Sequence, residues 1–95
     1  MSKPKTLHIV VKQEHIDEGI PGDELSCPIA LAVAEQYPEL KTVEVCSDTL
    51  IVSNEIAEDY TLPEVAQEFI ASFDYELEVK PFEFDAELFD EDQLG

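Results

Sequence analysis

Two cysteines and two histidines are the side chains of this 95-residue sequence best suited to nucleophilic or metal chemistry. A thiolate can attack an electrophile or bind zinc, and a neutral imidazole can move a proton or ligate the same metal. Cys27 stands where a helix is expected to begin, a position that lowers a thiol pKa. No local motif places a base beside it, and the surrounding acids oppose a thiolate. It reads more simply as a small buried hydrophobe. His8, His15, Cys27 and Cys46 follow one another at spacings of seven, twelve and nineteen, and none of these is the close pairing of C-x-x-C or H-x-x-x-H. His8 is expected on a strand and His15 in a loop. Asp17, Glu18, Asp23 and Glu24 bracket a glycine-containing stretch that departs from the D-x-[DN]-x-[DN]-G calcium pattern. The sequence also lacks the phosphate-loop, dinucleotide, zinc-protease and nucleophile-elbow motifs. No catalytic residue, cofactor or metal is expected, and a non-enzymatic protein is expected.

Carboxylates are the abundant chemistry. Twenty-three acids face five lysines and no arginine, for a net charge of −18. Up to Ser47, 8 acids meet 4 lysines; beyond it, 15 acids meet only Lys80. Such a field repels nucleic acid and anionic membranes, attracts basic proteins, and weakens with salt. Glu64 and Glu68 fall one helical turn apart, where their repulsion costs a few tenths of a kcal/mol. Glu76 and Glu78 are expected on one face of a strand, about 6.6–6.8 Å apart. These four glutamates form the expected protein-binding surface, a row of carboxylates able to imitate a nucleic-acid backbone.

The elements that must carry them follow from periodicity. Thr6–Lys12 is rich in β-branched residues and reads as a strand. Glu14–Glu24, with Gly19, Pro21 and Gly22, reads as a loop. Ser26 is the expected N-cap of an apolar helix through Ile29–Ala34 that stops at Tyr37-Pro38. Thr42–Asn54 reads as a hairpin turning near Ser47-Asp48. Thr61-Leu62-Pro63-Glu64 has capping-box spacing, and Val65, Ala66, Phe69, Ile70 and Phe73 then recur at helical intervals, predicting a helix over 62–74. Glu76–Lys80 alternates as a strand, with a phase shift at Pro81 ahead of Phe82 and Phe84.

The resulting β-α-β-β-α-β order predicts an α+β fold, a ferredoxin-like two-layer sandwich or a similar one, with two helices on one face of an antiparallel sheet. One domain over 1–85 and an acidic tail over 86–95, disordered at its end, are expected. The N-terminal segment lacks an apolar core with a cleavage site, and no apolar run reaches the roughly 20 residues a bilayer requires, so a cytoplasmic protein with reduced thiols is expected.

His15-Ile16 through Gly19, Asp23, Cys27-Pro28-Ile29-Ala30-Leu31-Ala32, Phe73-Asp74 and Pro81-Phe82-Glu83-Phe84 together resemble small uncharacterised acidic proteins encoded by bacteriophages and prophages. That resemblance implies a viral accessory role and carries no functional residues over. The expected function is binding of a basic host or viral protein through the acidic surface, in the manner of a nucleic-acid mimic. The alternative is a structural component that assembles into a homo-oligomer.

Overall fold

Eight elements organise residues 5–89, the portion described by a computed structural model: β1 (Thr6–Val11), α1 (Gln13–Glu18), α2 (Pro28–Gln36), β2 (Thr42–Val45), β3 (Thr49–Ser53), β4 (Ala57–Thr61), α3 (Glu64–Asp74) and β5 (Phe82–Leu88). The architecture is α+β. All five strands are antiparallel, in the order β1-β5-β4-β3-β2, and the sheet curls into a half-barrel. This replaces the expected four-stranded ferredoxin-like arrangement with its two helices. Two additional elements, α1 and β4, account for the difference.

Alternation builds the sheet. Leu7, Ile9 and Val11 of β1, Leu50 and Val52 of β3, Tyr60 of β4, and Phe84 and Ala86 of β5 are buried on one face. Ile29, Ala30, Ala32 and Val33 of α2 fill the concavity. Burying a large apolar side chain contributes about 1.5–3 kcal/mol, and Ile9, Ile29 and Leu50 are wholly inaccessible. The small alanines of α2 let it approach both margins of the sheet, β1 and β2, at once. Phe69 and Phe73 of α3 extend this core, with Phe69 stacked on Phe82 at 4.6 Å and Phe82 on Phe84 at 5.3 Å.

Both margins are covered in part by groups that are not strands. The Gln36 side-chain amide, at the end of α2, accepts the Val10 N–H at 2.6 Å and donates to the His8 carbonyl at 2.8 Å. It imitates a peptide unit along β1. Further down, the Lys12 N–H donates to His15 Nδ1 at 2.9 Å, and the Lys12 carbonyl accepts from His15 and Ile16. On the opposite margin the Val45 N–H of β2 donates to the Glu24 carbonyl at 2.9 Å. Exposed edges invite pairing with other chains, and these contacts blunt them.

The loop expected over Glu14–Glu24 begins with α1, which His15 stabilises by reaching back to the Lys12 N–H as a capping-box glutamate would. Cys27, not Ser26, caps α2, its Sγ accepting the Ala30 N–H at 3.4 Å. Thr61 is the last residue of β4, paired with Glu87, and so is not a cap; α3 starts behind Pro63 with no side-chain cap. Glu76–Lys80 is not a strand. Glu76 takes a left-handed φ of 60° after α3, and β1 turns into α1 just where a ladder would have to continue past the Val11–Phe82 pair. β5 instead runs to Leu88, beyond the boundary expected at Asp85, with Ala86 fully buried. The rest of the expected tail, 90–95, lies outside the described residues.

Candidate protein-binding face

The four glutamates singled out by sequence are exposed, but they do not share one surface row. Glu64 occupies the first turn of α3, where the helix dipole favours a negative charge. That gives it a structural benefit to set against its repulsion from Glu68, which lies one turn later on the same helix. Glu76 is the left-handed residue after α3, and Glu78 sits in the unpaired stretch beyond it. These last two line an open groove of about 490 Å³ with Ile16, Phe73 and Val79.

A regular acidic row does exist, on β5. Phe84 and Ala86 point into the core, so Glu83, Asp85 and Glu87 stand exposed on the outer face. Residues two apart on a strand are about 6.6–6.8 Å apart, equal to two base-pair steps of rise along one B-DNA strand. Asp59 of β4 adds a further exposed carboxylate to the sheet's outer face. Opposite Asp85 on β1 stands His8, whose Nδ1 lies 2.7 Å from Asp85 Oδ1 and whose Nε2 lies 3.2 Å from Glu83 Oε1. The hydrogen bond to Asp85, reinforced by both carboxylate charges, raises the imidazole pKa above its ordinary value. The imidazole is thus held between two carboxylates. The signal for this row is the strict alternation of Glu83, Asp85 and Glu87 with Phe84, Ala86 and Leu88, which a domain boundary at Asp85 cuts in two.

The thiols lie around a second depression. Cys27, Cys46, Asp23, Glu24 and Asp74 line a pocket of about 360 Å³ between the 20–26 turn, β2 and α3. Asp74 Oδ1 accepts the Gly22 N–H at 2.9 Å, and Gly22 has a φ of 77° that a side chain would strain. Burial raises the Cys27 pKa, and burial with the Glu24 and Glu44 charges raises that of Cys46. Both effects favour the thiol over the thiolate a nucleophile requires. Glu24, Glu44 and Cys46 bring one ligand atom each within 4.8 Å of one another. A hydrogen bond to the Glu44 carboxylate, followed by that group's charge, raises the Glu24 pKa. Exposed acidic groups meet in this way without a metal ion.

His15 is buried inside α1, not in a loop, and its polar atoms are engaged. Nδ1 accepts from Lys12, which leaves the proton on Nε2, 3.1 Å from Glu35 Oε1. Its geometry is that of a structural cap. Among the described residues, no helix is long and apolar enough to cross a membrane. No protein-family model, curated protein or solved structure matches the chain.

Proposed function

We propose that this chain is a non-enzymatic binding protein that engages a basic partner through the outer face of its sheet, centred on β5. The observation that carries the reading is the exposed row Glu83, Asp85, Glu87, backed by buried Phe84 and Ala86 and presented on a strand. A strand holds these charges at fixed intervals, so a matching cationic surface loses less freedom on docking than it would against mobile side chains. The wider charge of −18 steers cationic partners toward it. The concrete form is mimicry of a phosphate backbone by an accessory protein of the phage-encoded kind the sequence resembles. A cytoplasmic setting, where thiols stay reduced, fits two free cysteines. Self-assembly has less support, because two copies each carrying a charge of −18 repel.

The test compares capture of lysate proteins by the wild type, by a variant with Glu83, Asp85 and Glu87 changed to lysine, and by a Glu64→Lys/Glu68→Lys variant. Circular dichroism confirms that each is folded. Salt-sensitive capture of a nucleic-acid-binding protein should be lost in the β5 variant and kept in the α3 variant. Capture that survives reversal of the β5 row overturns this assignment.

A further inference from the structure

The sheet is interrupted beside that acidic row. β4 and β5 pair only through Tyr60–Leu88 and Thr61–Glu87, because the chain leaves β4 at Leu62 and opens α3 behind Pro63. Leu62 turns its N–H to the Asp48 carbonyl instead, and Pro63, which would stand opposite Asp85 next in the register, has no N–H to give. β5 continues for five more residues, from Ala86 back to Phe82, paired on its β1 side alone. The Phe89 N–H bonds to Asp59 on β4, whereas the Leu88 N–H bonds to Lys5 beside β1. By the alternation of a ladder, Glu83 and Asp85 direct their backbone N–H and C=O groups toward the side β4 has vacated. The stretch before β5 extends this line. Glu78, Val79 and Lys80 make no backbone hydrogen bond to other described residues.

Gln36, His15 and Glu24 occupy the edges of β1 and β2, yet the vacant side of β5 has no such cover among the described residues. We infer that this vacant side of β5 takes up an extended basic segment of a partner protein as an added strand, in line with β4. The inference rests on the reading of the β5 face as a site for basic partners and adds how the partner's backbone is held. Strand addition supplies affinity through main-chain hydrogen bonds and selectivity through alternate side chains. Lysines or arginines on one face of the segment would meet Glu83, Asp85 and Glu87, and apolar residues on its other face would approach Phe82 and Phe84. The charge argues for this occupant: a second copy would bring another −18 to the same row.

The probe is an acetylated, amidated nine-residue peptide alternating lysine and valine, compared with the same peptide N-methylated on alternate residues of one edge and then of the other. Methylation removes backbone donors and leaves the charge unchanged. One methylated form should bind at least about tenfold more weakly than the parent, the loss of one or two charge-flanked backbone bonds, and the parent should slow exchange of the Glu83 and Asp85 amides. Equal binding by all three peptides, with unprotected amides, overturns strand addition while the acidic-face reading stands. Failure of every peptide to bind, at low salt, overturns both. Formation of dimers without peptide, through the same amides, would assign the edge to self-pairing and also overturn the proposal.

Discussion

Changing Gln36 to alanine removes the side chain that occupies the β1 margin, and the cost can be worked from its contacts. Two amide hydrogen bonds are lost, at 2.6 Å to the Val10 N–H and 2.8 Å to the His8 carbonyl. Each contributes about 0.5–1.5 kcal/mol net, and their exposure to water, which can replace both partners, sets them at the lower end. Alanine gains a few tenths of a kcal/mol in helix propensity and frees the rotamer entropy glutamine gives up. The balance is a loss of about 0.5 kcal/mol, or roughly 2–4 °C in Tm for a domain of this size. Gln36→Glu separates the two bonds. A carboxylate can still accept from Val10 but has no proton for the His8 carbonyl, so this variant should be at least as unstable as the alanine one near pH 7. Acidification, by protonating the new carboxyl, should return part of the difference. Thermal melts followed by circular dichroism at pH 4.5 and pH 7 read both effects. An alanine variant melting within about 1 °C of the wild type would show that the amide adds nothing to the edge it covers.

The histidine on the outer face gives a signed pH effect. Its folded pKa is raised, chiefly by the Asp85 hydrogen bond, so its stabilisation is complete below the unfolded value of about 6.5 and is lost as pH rises through the folded value. An NMR titration of the His8 ring should have its midpoint above that of a model peptide, and His8→Gln should flatten stability across this window; a midpoint at or below the peptide value would refute the pairing. Gly19→Ala should destabilise by about 1–3 kcal/mol, since a Cβ there would fall 2.6 Å from Pro28 Cδ at the start of α2. Urea unfolding measures it, and an unchanged midpoint would show that the turn yields freely.

Elements with many apolar residues in phase are legible in the sequence itself. The α2 run, the Thr42–Ser53 hairpin and the apolar face of α3 each repeat their signal over several positions. β4 does not. In Ala57-Glu58-Asp59-Tyr60-Thr61 only Tyr60 is buried, and one anchor cannot establish a period of two. α1 escapes because its stabilising contact is an imidazole to a backbone N–H, which no hydrophobic pattern records. The opposite error arises at Glu76–Lys80, where a good strand pattern lacks a partner because β1 has already become a helix. Local alternation describes what a segment can do, and its neighbours decide whether it does. For the same reason the row of carboxylates expected on a strand at Glu76 and Glu78 does not form: these two alternate as cleanly as Glu83 and Asp85, but only the latter pair lies on a strand.

The register of β1 against β5 also governs when the fold can be completed. Thr6 pairs with Glu87 and Val11 with Phe82, so among the described residues the earliest strand to be made finds its only ladder partner in the latest. At about 5–20 residues per second, synthesis takes roughly 4–15 s to pass from β1 to the end of β5. Throughout that interval Leu7, Ile9 and Val11 have no strand to lie against. In the nascent chain they have α2 alone, and Gln36, emerging well before β5, can already hold the margin of β1 that faces away from its future partner. The side-chain amide that blunts an edge in the finished protein is then also a placeholder during its synthesis.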